Sequence, residues 1–184
     1  MNYDISTKNI PMAFDPNSRH NMDIDTYSTA SLEILIKSFG FDKVYDFILN
    51  LYIDCINNRK IDKENKLLQL MGYLVSDELK IKRTKEFNEK IIKKAINTKN
   101  SNIVKLVYKY VKPTRSILKY TVMKRDIMML LLTAQYFYNI DISVVYLAIE
   151  TENLDIIKII MSRFLQDTSI NKNNILKNII ATKK

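Results

Sequence analysis

Two segments of the chain repeat each other. Residues 94–107, Lys-Ala-Ile-Asn-Thr-Lys-Asn-Ser-Asn-Ile-Val-Lys-Leu-Val, align without a gap on residues 147–160, Leu-Ala-Ile-Glu-Thr-Glu-Asn-Leu-Asp-Ile-Ile-Lys-Ile-Ile. Ala, Ile, Thr, Asn and Lys recur at matching places, and the remaining apolar places stay apolar. Ala95 and Ala148 are 53 residues apart, and the segment from Thr121 to Leu131 fills the midpoint once a two-residue deletion is allowed. The implied period is 26 to 27 residues. A unit of that size cannot bury its own apolar face, so it must stack on its neighbours.

Composition narrows the fold further. With 2 Gly and 3 Pro in 184 residues, the chain lacks the turn chemistry of an all-β protein and the glycine-rich loops that cradle phosphates. The 47% hydrophobic content is enough for a continuous core. Helix signals run the length of the chain. Ser28 and Thr29 form a cap region before Leu32, Leu35, Ile36 and Phe39, and Gly40 stops that helix. A second helix starts at Asp42 and carries Val44, Phe47, Ile48, Leu51, Tyr52 and Cys55, and Asp62 caps a third that contains Leu67, Met71 and Leu74. Thr84 opens the next, and Ser101 caps its partner, which Pro113 ends. Ile117–Met123 with Asp126–Tyr138, Ser143–Glu150 with Asn153–Gln166, and a closing Asn173–Ala181 complete the series. The β-branched run Ser143-Val144-Val145-Tyr146 suits a strand by propensity, but its phase with Ala148 and Ile149 favours helix.

The expected fold is all-α: short antiparallel helix pairs stacked as an α-solenoid, with an N-terminal helical cap. The expected organisation is an extended arm over 1–28, the cap over 29–83 and the repeats over 84–184, the last two forming one continuous domain. The pattern Ala-Ile-x-Thr-x-Asn-x-x-Ile-Ile-Lys-Ile-Ile at Ala148 to Ile160, echoed at Ala95 to Val107, resembles ankyrin repeats. Ankyrin units usually run about 33 residues with a Thr-Pro-Leu-His signature. The shorter units here look more like the divergent ankyrin-like repeats of large DNA viruses, of the poxvirus host-range and asfarvirus multigene-family type. That resemblance covers residues 84–182 and implies a non-enzymatic role in countering host innate immunity through a host or cellular protein.

Charge is distributed unevenly. Residues 1–28 sum to −2, 29–79 to −2, 80–125 to +13 and 126–184 to zero, which recovers the net +9. Within the basic third, Lys90, Lys93 and Lys94 share a face of one helix, and Lys105, Lys109 and Lys112 share a face of the next. These six residues are the candidate partner-binding surface, with Lys80, Lys82, Arg83 and Lys85 at its edge. Stacked units place corresponding faces side by side, so the two stripes are expected to merge. A nucleic-acid-binding surface built from the same lysines is the alternative, with Tyr108, Tyr110 and Tyr120 interleaved as base-stacking residues. Tyr110 lies in the apolar phase and is expected in the core. Scarcity of Arg in the cluster argues against base-specific readout.

Catalytic chemistry finds little support. His20 is the single histidine and lies in the N-terminal arm, far in sequence from the single cysteine, Cys55. Zinc sites of the His and Cys type are excluded by count. The carboxylate pairs Asp23/Asp25, Asp62/Glu64 and Glu150/Glu152 are spaced i, i+2 and face different ways on a helix. No enzyme activity, cofactor or metal is therefore expected. Cys55, among Leu51, Ile53 and Ile56, reads as a buried thiol in a reducing compartment. The N-terminus has no secretory signal pattern, and no apolar run approaches the roughly 20 residues needed to span a bilayer. A cytoplasmic location is expected, with the nucleus as the alternative. Met123, Met128, Met129 and Met161 are expected to fill the core, with a Met-lined groove for a partner helix as the sharper reading. Such a groove would suit a viral Bcl-2-like bundle whose central helix is Asp126–Tyr138, although the chain has no Trp and no Asn-Trp-Gly-Arg-like stretch.

Overall fold

The computed structural model describes residues 27–79 and 83–166. Residues 1–26 of the expected N-terminal arm, with His20, and Lys80, Lys82 and the expected closing helix over 173–181 lie outside them, while Tyr27 at the arm's end is buried instead of extended into solvent. All regular structure among the described residues is helical, and the 143–146 run is helix, as its phase indicated. The chain divides into two compact units, one ending at Lys82 and the other beginning at Arg83.

The first unit contains α1 (Thr29–Phe39), α2 (Phe41–Asn57) and α3 (Ile61–Val75), with α2 packed on both of the others. Ser28 caps α1 in a reciprocal pair with Ser31. Gly40 alone joins α1 to α2, at φ 86 and ψ 151. That backbone region is essentially restricted to glycine, which accounts for one of the two glycines in the chain. Leu32, Leu35, Val44, Ile48, Leu67, Met71 and Leu74 are fully buried between the helices. Tyr52 donates to Glu64 Oε1 at 2.9 Å, tying α2 to α3, and Tyr73 donates to Glu33, tying α3 to α1. The bond to Glu33, with burial next, pushes the Tyr73 hydroxyl up to about 12. The start of α3 differs from the sequence reading. Its N-cap is Lys60 with no side-chain bond, so Asp62 lies inside the first turn instead of capping it. Cys55 is buried and donates to the Lys60 carbonyl, and burial pushes its thiol above the ordinary value.

The second unit contains α4 (Lys85–Asn97), α5 (Ser101–Tyr110), α6 (Arg115–Lys124), α7 (Ile127–Ala134), α8 (Ile142–Glu150) and α9 (Leu154–Gln166). Consecutive helices pair: α4 with α5, α6 with α7, and α8 with α9. Alternate helices also touch, α4 to α6 to α8 in one row and α5 to α7 to α9 in the other. Between the rows lie Ile91, Ile92, Ala95, Ile103, Val104 and Val107 at one end, and Leu118, Val122, Leu130, Val145, Ile156, Ile160 and Phe164 at the other. Burying each such side chain is worth roughly 1.5–3 kcal/mol, which is why helices of 8 to 13 residues persist here although they would be marginal alone.

The repeated motif builds the turns. In the α4–α5 turn, Thr98 donates from Oγ1 to the Ala95 carbonyl at 2.6 Å and accepts from the Asn100 amide at 3.1 Å. Asn100 Oδ1 then accepts from the amides of Asn102 and Ile103. In the α8–α9 turn, Thr151 bonds Ala148 and the Asn153 amide, and Asn153 accepts from Asp155 and Ile156 in the same way. The residue between Thr and Asn is left-handed in each, Lys99 and Glu152, both at φ 55. The middle turn has Arg125 at φ 54 and Asp126 as the cap. These three left-handed residues fall 26 and 27 apart, so the middle copy aligns on its turn without the two-residue deletion that side-chain matching required. Asn100, not Ser101, caps α5, because the cap must stand outside the first helical residue with extended backbone.

Several side chains depart from the sequence reading. Tyr108, not Tyr110, is the core tyrosine of α5: it is buried with Ile103, Val104 and Val107, while Tyr110 is exposed two residues out of phase. The Tyr108 hydroxyl bonds Thr133 Oγ1 at 2.7 Å, linking α5 to α7, and burial pushes it up to about 12. Met129 is buried and Met161 packs against the core, but Met123 and Met128 are exposed. The helix α7 ends at Ala134, and its Ile127, Met128 and Leu131 reach solvent. It is therefore a member of a row, not the enclosed central helix that a Bcl-2-like bundle needs.

Candidate functional site

Of the six candidate lysines, Lys90, Lys93 and Lys94 stand on α4, Lys105 and Lys109 on α5, and Lys112 beyond the end of α5. The two stripes therefore belong to different rows, α4 with α6 and α5 with α7. Lys93 is the member placed at a formed site. Its ammonium lies 5.6 Å from the centre of the Tyr120 ring on α6, and Lys124 approaches the same ring at 5.3 Å. Two cations thus share one aromatic face system, an arrangement attractive for each but repulsive between them. Tyr120 is held in place by donating to Asn97 Oδ1 at 2.7 Å. On α5, Lys109 rests over the neighbouring Tyr110 ring at 5.3 Å, and Lys105 and Lys112 are exposed.

An open cleft of about 440 Å³ lies beside Lys93. Its walls are Lys93 from α4, Arg115, Ser116, Lys119, Tyr120 and Met123 from α6, and Asp141 at the head of α8. Arg115 and Lys119 are one turn apart and share a face of α6. Thr114, the N-cap residue of α6, does not cap it but donates instead to Glu89 Oε1 on α4 at 2.6 Å, fixing the spacing of the two helices at the cleft's edge.

Asp141 is the single carboxylate among these lining residues, and it is already engaged. Its Oδ1 accepts from the amides of Ser143 and Val144 at 3.0 and 3.3 Å and from the Ser143 hydroxyl, capping α8. Its Oδ2 lies 3.8 Å from Arg115. Burial pushes the Asp141 carboxyl up, but the Ser143 and Val144 bonds together with the charge of Lys119 outweigh that and hold it below its ordinary value. With Arg115 mostly exposed, the ion pair itself contributes little to stability, about 0–1 kcal/mol. Among the described residues, no carboxylate forms an ion pair with Lys93 or Lys119.

Of the cleft residues, Met123 was named from sequence as a core or groove methionine, whereas Arg115, Lys119 and Asp141 were not singled out. The signal was present in the i, i+4 spacing of Arg115 and Lys119 within the basic third, but it is hidden when α6 is started at Ile117 instead of Arg115. Among the described residues, no cluster of His, Cys, Asp and Glu could hold a metal ion, and no helix is long and apolar enough to cross a membrane. No family model matches the chain, and no curated protein or solved structure matches it either.

Proposed function

We propose that the second unit is a short ankyrin-like α-solenoid and that the protein is a non-enzymatic interaction module. It binds a host or cellular protein inside the cell, in the manner of the host-range and innate-immune antagonists of large DNA viruses. The observation that carries this reading is the hairpin itself: the Thr-x-Asn turn recurs with the same hydrogen bonds at both ends of the unit, and alternate helices stack in rows. Repeated units of that kind supply an extended face rather than a reaction centre. Each row leaves one side of its helices outward, and the α4–α6 side carries the cations described above.

Crosslinking followed by affinity capture from cells expressing the full chain tests this. The expected result is one or a few proteins crosslinked to α4, α6 or α8, retained after nuclease treatment. Loss of all captured material on nuclease treatment would instead support the second reading, a nucleic-acid-binding protein using Lys90, Lys93, Lys94, Lys105, Lys109 and Lys112. That reading is favoured by the concentration of charge in residues 80–125. Intramolecular crosslinks incompatible with α4, α6 and α8 sharing a row would remove the solenoid.

A further inference from the structure

Resting on the interaction-module reading, we infer that the cleft between α4 and α6 takes an acidic peptide segment of the partner, with a carboxylate held by Lys93 and Lys119 and a neighbouring apolar side chain laid on Met123. Three cations converge on this cleft from two helices, and one of them, Arg115, already faces Asp141. Asp141 offsets only one of the three positive charges, so the lining keeps an excess of two, and Lys93 and Lys119 are the two that form no ion pair within 4 Å among the described residues. A carboxylate placed between them gains two charge-assisted contacts, each screened in part by the solvent that reaches the open cleft.

The apolar wall sets the second requirement. Met123 is 66% exposed and lines the cleft together with Tyr120, so an apolar group that enters the cleft has an adaptable side chain to pack on. The Tyr120 ring is held rigid by its bond to Asn97, so it offers contact area at little entropic cost. The volume of about 440 Å³ lies within the usual range for ligand sites.

Asp141 distinguishes a peptide from a nucleic-acid backbone. It lines the cleft with a negative charge, and its Oδ2, 3.8 Å from Arg115, can still accept a hydrogen bond. A peptide supplies an amide N–H to such an oxygen while its acidic side chain reaches the lysines. A phosphodiester backbone has only acceptors and negative charge, so it meets repulsion at Asp141 without a compensating bond. None of the α5 lysines lines this cleft, and they serve as the internal control.

The test uses the full chain and a short fluorescein-labelled peptide with a central Glu-Glu-Leu-Glu run flanked by Gly and Ser, followed by fluorescence anisotropy. Expected is saturable binding that weakens by about tenfold or more in Lys93→Glu and in Lys119→Glu, and by less than about twofold in Lys105→Glu and Lys109→Glu. The milder Lys119→Gln should retain an intermediate affinity, and circular dichroism checks that each variant is folded. Replacing the three Glu by Gln should abolish binding, and Met123→Ser should weaken it severalfold. Equal losses in the α4–α6 and α5 variants, or displacement of the peptide by a single-stranded oligonucleotide at lower concentration than unlabelled peptide, would overturn the inference. Absence of peptide binding, while crosslinked protein capture through α4 and α6 persists, overturns the inference and leaves the interaction module standing.

Discussion

The first and last hairpins of the second unit have the same turn and opposite charge. Thr98-Lys99-Asn100 and Thr151-Glu152-Asn153 make matching hydrogen bonds, and the residue at the left-handed position is a cation in one and an anion in the other. What the two share are groups that satisfy the backbone or fill the space between the rows. Most of what differs is charge, although Leu147, which stands where the first copy has Lys94, packs against the core. The middle hairpin sharpens the lesson, since it keeps the left-handed residue and a side-chain cap, now the Asp126 carboxylate in place of Asn, but has Lys124 where the others have Thr, and so loses the bond back to the preceding helix.

The largest effect should come from the equivalent core positions Ile103 and Ile156, both fully buried. Changing either to Ala should destabilise the chain by about 2–5 kcal/mol in urea unfolding. The two values should agree within about 1 kcal/mol if the hairpins are equivalent, and a large inequality would break the comparison. Next come the caps. Asn100→Ala and Asn153→Ala should each cost about 1 kcal/mol, and Asp126→Ala a similar amount. Lys124→Thr should return roughly 0.5–1 kcal/mol by restoring the missing turn bond, and no gain would mean that the middle turn has a different geometry.

Smaller still are the left-handed positions. Lys99→Gly, Arg125→Gly and Glu152→Gly should each stabilise the chain by up to about 1 kcal/mol, because glycine relieves strain at φ 54 to 55, offset by its larger entropy in the unfolded chain. The gain should be alike for the cation and the anion, and thermal melts of all three would show whether charge or backbone sets it. The smallest effect concerns pH. The Asp141 carboxyl is held below its ordinary value of 3.8, so the stability it contributes is present above that value and is lost as pH falls through the lower folded value. Acid unfolding of Asp141→Asn should therefore lack a small increment that the parent loses below about pH 4, and equal acid sensitivity in both would exclude it.

Much of this was open to reading along the chain. The period of 26 to 27 residues, the apolar phase of each helix and the Thr-x-Asn turns depend on neighbours within a few positions, where steric and hydrogen-bond rules are local. The errors fell at helix ends and outward faces. Starting α6 two residues late concealed Arg115, and assigning Tyr110 rather than Tyr108 to the core followed from a phase error of two residues on a ten-residue helix.

By itself, the sequence determined that the chain is helical, where its apolar stripes run and which segment holds the charge. Those properties follow from side-chain type and spacing. Only the tertiary structure decided that Lys93 joins Arg115 and Lys119 while Lys105 and Lys109 stand in the other row, and that Asp141 closes the cleft. The reason is geometric. Which outward faces meet depends on how helices 20 or more residues apart in sequence stack, and that is fixed by the fit of their buried sides, about which the exposed charges carry no information.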